Sequence, residues 1–252
     1  MNILEYITPF ITNLVRYFIL AGIPFLIFYK LYPSTFSKSK IQLRLAKKKD
    51  IIREILHSVQ TTFIAVIIGL VILKSPLKEY TLFYSSISDF SIWWFPTNIV
   101  LALIVHDTYF YWMHRTIHNP KLYKKVHFTH HKSINPTPWA SYSFHFIEAV
   151  LESMFVVIIL FFIPMSKISL LLFSLCAFSI NVYGHLGYEI APKWFRNSFL
   201  FEFINSSVYH NMHHSKFIGN YGLYFRFWDR LMKTEHPDYV KEYDKIQKKR
   251  FH

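Results

Sequence analysis

Six histidines fall between His106 and His131, in the stretch HDTYFYWMHRTIHNPKLYKKVHFTHH, and a later segment, HNMHH at His210 to His214, repeats its ending. Imidazole ligates iron, zinc and copper well. At about 100° per residue, Asp107, His114 and His118 fall within about 20° of one another on a helix. His106 lies about 80° from His114 and is the weaker ligand candidate. His127, His130 and His131 have the i, i+3, i+4 spacing that places three side chains on one helix face, and His210, His213 and His214 repeat it. His185 stands apart, with Glu189 four residues later.

These nine histidines exceed what one ion takes. A structural zinc takes four ligands and a catalytic zinc keeps three, so the set fits two transition-metal ions with four or five protein ligands each. Neutral imidazoles leave the ionic charge uncancelled, so acceptors are expected to hold their outer N–H groups. Asp107, Glu189 and Glu148 are the candidates, and Glu189 is also a candidate direct ligand. His145, three residues before Glu148, is a candidate for either role. His57, His236 and His252 read as structural.

The elements that must position these residues are apolar. Hydrophobic residues make up 52% of the chain, 26 of its 252 residues being Phe. They concentrate in long runs, which indicates membrane spans rather than a soluble core. The runs are about 9–31, 55–73, 84–105, 146–164 and 168–183. Pro24 permits a kink in the first, Arg16 within it must snorkel or face a partner, and Pro96 is placed to break the third. The link PMSK makes the last two a hairpin or a re-entrant pair. The expected fold is an all-α integral-membrane bundle of about four to five spans or re-entrant helices under a histidine-rich helical cap. It divides into N-terminal spans (1–105), a first histidine segment (106–145), a span hairpin (146–184), and a second histidine segment with a basic tail (185–252).

The formal charge of +13 reads as basic loops beside a membrane rather than as a nucleic-acid surface. If the basic loop 30–53 is cytoplasmic, alternating spans bring every histidine group to that same side. The single cysteine, Cys176, excludes an intrachain disulfide and a thiolate metal site. The N-terminus has no basic n-region and reads as a retained span.

At these residues the chain resembles the membrane fatty acid hydroxylase and sterol desaturase superfamily. The resemblance rests on D-x-x-x-Y-W-x-H-R-x-x-H at Asp107 to His118 and H-x-x-H-H at His127 to His131. It continues with H-x-x-E at His145 to Glu148, H-x-x-H-H at His210 to His214, and NYGLYFRFWDRLMKT at Asn220 to Thr234. It implies an oxygen-activating membrane enzyme with two irons, which zinc can replace in purified protein. The implied ligands are His114, His118, His127, His130, His131, His185, His210, His213 and His214. O2 is the implied cosubstrate and a membrane lipid, sterol or fatty acyl, the substrate. Electrons would come from a separate cytochrome b5 or ferredoxin-type donor with its reductase, since the length leaves no room for a fused cytochrome b5 domain. Some fatty acid hydroxylases carry two histidines near the position of His185; Glu189 at i+4 instead leans the match toward the sterol branch. The alternatives are a membrane di-zinc enzyme without redox chemistry, and a metal transporter or structural metal protein.

Overall fold

The first helix, α1 (Leu4–Phe25), runs into a π-helical turn, Leu26–Leu31, so Pro24 does not end it. This computed structural model describes residues 3–86 and 89–251; His252 lies outside the described residues. The exposed Ile7, Ile11, Val15 and Phe18 recur every three or four residues along α1 and form an apolar stripe that suits lipid. Its opposite side packs inward. Arg16 turns to the later helix Lys167–Gly184, where its guanidinium donates to Ser174 Oγ at 2.5 Å and lies 6.0 Å from the Phe178 ring.

Two more long helices follow, α2 (Lys48–Leu73) and α3 (Trp94–Ile117). α3 starts ten residues later than the apolar run suggests, because Phe83–Tyr84 is a short strand, β1. Pro96 does not break the helix. It sits in the first turn, where its missing N–H forfeits no helical bond. α3 therefore runs unbroken past the apolar run and carries Asp107 and His114, with His118 at its C-cap.

α4 (Pro120–Val126) and α5 (Phe128–His131) are short and break at His127. α6 (Phe146–Phe162) and α7 (Lys167–Gly184) are joined through β2 (Met165–Ser166), which pairs in parallel with β1. α8 (Ser207–Lys216) holds the last histidines, and α9 (Phe227–Leu231) and α10 (Tyr239–Phe251) complete the chain. Among the described residues, α1 with its π-helical turn, α2 and α7 are long and apolar enough to cross a membrane. At 17 residues, α6 is about 25 Å long. The protein is an all-α membrane bundle, and α3, α6 and α7 pack together on Phe110, Phe155, Ile159 and Phe173.

The connection from α5 to α6 is nailed into the bundle. Trp139 fits against Gly22, where an added Cβ would meet its ring at 3.0 Å. Its carbonyl accepts from Tyr17 Oη (3.0 Å) and Ser58 Oγ (2.9 Å). Buried Glu54 on α2 accepts from Ser133 Oγ (2.7 Å) and Thr137 Oγ1 (2.6 Å). The basic loop lies at the histidine end: Ile41 N donates to Gly187 O at 3.1 Å, and Gln42 Nε2 to Asn211 Oδ1 at 2.7 Å.

Glu54→Ala strands two buried hydroxyls beside His130 and His131. It is expected to cost roughly 1–3 kcal/mol, measured as a lower thermal unfolding midpoint of the detergent-solubilised protein; an unchanged midpoint would remove Glu54 from the frame.

Candidate metal centre

Nine imidazoles converge where the ends of α3, α5, α7 and α8 meet. They form two groups. His114, His118, His127, His131 and His213 make the first; His130, His185, His210 and His214 make the second. Within each group the facing nitrogens all lie within 4.8 Å of one another. Each group draws on both histidine segments, and each triplet of the sequence is divided. His127 and His131 enter the first group while His130 enters the second; His213 enters the first while His210 and His214 enter the second. In both triplets the i and i+4 histidines share a group and the i+3 histidine joins the other, in the unbroken α8 as across the break at His127.

The outer ring nitrogens decide the chemistry. His114 Nδ1 donates to Tyr221 O (2.9 Å) and His213 Nδ1 to Gly219 O (2.7 Å). His185 Nδ1 donates to Asn181 O (2.8 Å) and His130 Nδ1 to Ser143 O (3.3 Å). His127 Nδ1 donates to Glu148 Oε1 at 2.6 Å. A carbonyl can only accept, so each such bond fixes the proton on Nδ1 and leaves a lone pair on Nε2. Those lone pairs then face one another: His114 and His127 Nε2 are 3.0 Å apart, and His130 and His185 Nε2 are 3.4 Å apart. The His130–His185 pair has no proton left to share, and His114 has none to give His127.

A cation resolves the conflict. Two nitrogens about 2.1 Å from one ion are about 3.0 Å apart at a right angle and about 3.4 Å apart at the tetrahedral angle. The Nε2 pairs linking His118 to His131 and to His213 are both 3.2 Å, and His210 lies 3.0 Å from His185 and 3.1 Å from His214. Burial holds His127, His130, His131, His210 and His214 well below the usual imidazole range, with the neighbouring imidazoles adding to it. Burial likewise lowers His185 and His213, each to about 4. The rings are neutral, the form that binds metal. The donor set therefore fits two transition-metal ions.

The remaining candidates take other partners. Asp107 touches no histidine: its Oδ1 accepts from the backbone N–H groups of Leu223 (3.1 Å), Tyr224 (2.7 Å) and Phe225 (3.1 Å). Glu189 also lies outside both groups. It accepts from Tyr183 Oη (2.6 Å), Ala191 N (2.9 Å) and Val208 N (3.2 Å), which fixes the start of α8. Four residues beyond His185 the helix has already ended, so helical spacing no longer brings the two together. His145 caps α6 through Ile147 N and joins neither group. His106 stacks on Phe155 at 4.0 Å and bonds the Tyr224 hydroxyl. Trp139 packs under α1 rather than beside the histidines.

Sequence reasoning missed Asp229. Its carboxylate accepts from Tyr221 N (2.9 Å), Gly222 N (2.7 Å) and Thr234 Oγ1 (2.6 Å). It holds the loop whose carbonyls at Tyr221 and Gly219 orient His114 and His213. Its signal was its place in the W-D-R segment after the last histidines.

The fatty acid hydroxylase family model matches residues 99–234, the part of the chain that carries both groups. The chain is 34% identical over 180 residues to a Delta(7)-sterol 5(6)-desaturase of Gibberella zeae, covering 70% of this chain and 54% of that relative. It is 31% identical over 230 residues to lathosterol oxidase of Rattus norvegicus, covering 90% and 74%. With lathosterol oxidase of Homo sapiens the identity is 31% over 186 residues, covering 73% and 60%. The chain thus spans about half the length of the fungal relative. No solved structure matches.

Asp229→Ala frees the Tyr221 carbonyl and with it the His114 ring. Metal affinity at the five-histidine group is expected to fall about 10–100-fold, read by chelator competition, while the four-histidine group keeps its ion. Acid should unfold the metal-free protein. The folded imidazoles at His185 and His213 titrate near 4, below the unfolded value of about 6.5, so stability is full above that value and is lost as pH falls toward 4. The unfolding midpoint should drop steadily below about pH 6.5; a flat profile would contradict buried neutral rings.

Proposed function

The chain belongs to the fatty acid hydroxylase family, and from that premise we propose that it is an O2-dependent membrane enzyme that hydroxylates or desaturates a lipid at a histidine-held di-iron centre. The observation that carries this reading is the convergence of nine neutral imidazoles with opposed Nε2 lone pairs. The sterol branch is favoured over fatty acyl substrates by the names of the relatives, which are sterol desaturases and lathosterol oxidases. His114, His118, His127, His131 and His213 would hold one ion, and His130, His185, His210 and His214 the other. When bound, the irons would supply the O2 activation that lets an unactivated C–H bond be oxidised.

The chain's own residues do the rest. Backbone carbonyls and Glu148 orient five of the rings, His114, His127, His130, His185 and His213, before any metal arrives, which limits the reorganisation binding requires. The Phe110 ring lies 4.8 Å from His114, and Phe155 and Phe173 continue that apolar face into the bundle. A lipid tail or ring system would approach the centre along this face, and burial would keep bulk water from the oxidant. The basic loop packed at the histidine end supports a centre on the cytoplasmic side, of a bacterial inner membrane or the endoplasmic reticulum. A cytochrome b5 or ferredoxin-type donor with its reductase would deliver electrons there. The histidines lie at helix ends, unlike the mid-membrane ligands of a transporter.

The test compares the lipids of cells expressing the native chain and His131→Ala, with and without oxygen, by mass spectrometry. A lipid that gains one oxygen atom or loses two hydrogens only with native protein and oxygen is expected. No oxygen-dependent difference, with an electron donor and several sterol and fatty-lipid feeds supplied, would overturn the reading in favour of di-zinc or transport chemistry.

A further inference from the structure

Among the aromatic rings around the five-histidine group, Tyr123 and Tyr221 can be oxidised. Tyr123 lies 5.4 Å from His118 and 5.6 Å from His131, but the ring beyond it is Phe128, which does not continue an oxidisable chain. Phe110 and Phe217 lie against His114 and His131. Tyr221 is different: its ring centre lies 5.8 Å from His114, 5.0 Å from His118 and 5.7 Å from His213. Behind it the contacts continue through oxidisable rings. Tyr111 lies 6.4 Å from Tyr221; Trp112 meets Tyr111 directly at 5.3 Å, and Trp228 contacts both, stacking on Tyr111 at 6.0 Å and meeting Trp112 at 5.6 Å. Tyr111 is fully buried, whereas Trp112 is 42% exposed. The Arg115 guanidinium lies over Trp112 at 5.8 Å, which keeps that end at a polar boundary.

One hydrogen-bond chain makes the middle ring special. Thr234 Oγ1 donates to Asp229 Oδ1 at 2.6 Å, so the Tyr111 hydroxyl, 2.9 Å away, donates to Thr234 Oγ1. Oxidising a buried tyrosine requires its phenolic proton to leave, and here it has a route to a carboxylate. Burial raises the Asp229 carboxyl above its ordinary range, which favours taking up that proton.

We propose that Tyr221, Tyr111, Trp228 and Trp112 form a one-electron relay between the histidine centre and the protein surface, with Tyr111 as its resting radical position. The relay rests on the oxygen-dependent reading above. It acts when oxygen reacts and no lipid is present to be oxidised. One electron passes from Tyr111, through the Tyr221 ring, to the oxidised centre. The Tyr111 hydroxyl proton moves to Thr234 as the Thr234 proton moves to Asp229, leaving a neutral tyrosyl radical. An external ascorbate-class reductant then gives up one electron at Trp112. That electron refills Tyr111 across the direct Trp112 contact and through Trp228, and the proton returns from Asp229. The net change is one electron from the reductant to the centre. The relay spares the ligands from oxidation during unproductive turnover.

The experiment uses the full chain in lipid nanodiscs, loaded with ferrous iron and exposed to oxygen without lipid substrate. Frozen samples are read by electron paramagnetic resonance. The native protein should show an organic radical whose lines narrow when its tyrosines are ring-deuterated. Tyr111→Phe should lower that signal several-fold and shorten the lifetime of the centre, with iron content unchanged. Trp112→Phe, a surface change, should leave the signal but slow its decay in ascorbate several-fold, and serves if Tyr111→Phe fails to hold iron. Trp228→Phe should slow the decay less, because Trp112 also meets Tyr111 directly. An equal radical in Tyr111→Phe, or decay indifferent to both tryptophans, overturns the relay. Oxygen consumption by the native chain without any radical overturns the relay alone, and no oxygen consumption at all overturns the proposed function with it.

Discussion

The structure depends on an electrostatic conflict. Imidazole nitrogens at 3.0–3.4 Å face one another in a buried site, and on His114, His130 and His185 the backbone has already fixed the proton on the far side of the ring. Without a cation such a cluster would be destabilising, since buried polar atoms need partners. With one it becomes a ligand shell. Every other feature of the fold either brings these rings together or prevents them from turning away.

The buried carboxylates do much of that work, and mostly not by touching a ring. Asp107 gathers three N–H groups of the segment 223–225, Asp229 holds 221 and 222, Glu189 fixes the start of α8, and Glu54 holds the connection after His131. Only Glu148, at His127, acts on an imidazole directly. Carboxylates suit this task because each oxygen accepts two or more hydrogen bonds, so one side chain can pin a whole turn. In the bundle of long helices these are the points where non-helical backbone is made rigid. The carbonyls of Gly219 and Tyr221 can orient His213 and His114 only because their loop does not move.

The apolar runs made the helices legible, since a span needs a long uninterrupted stretch of apolar residues. They did not show where α3 begins or that it continues past Val105, because Pro96 looks the same in a first turn as in a helix interior. Spacing identified the residues that could ligate and set His106 apart, which the structure seats against Phe155. Spacing misassigned the acids. Asp107 and Glu189 stand at helical intervals from histidines, yet their strongest partners are N–H groups brought from distant or non-helical segments.

What the sequence determined by itself was the inventory: nine histidines of the right type near the ends of apolar segments, in numbers that suit two ions. Tertiary structure alone decided their division into five and four. Helical spacing within H-x-x-H-H puts three rings on one face, but a single face meets only what the fold lays against it. In each H-x-x-H-H the i and i+4 rings share one centre and the i+3 ring meets the other, so neighbouring rings such as His130 and His131, or His213 and His214, point to different centres. Local sequence fixes the angle between side chains along one helix; which opposing nitrogens they meet is set by contacts across more than a hundred residues, as in the hydrogen bond from His114 to Tyr221.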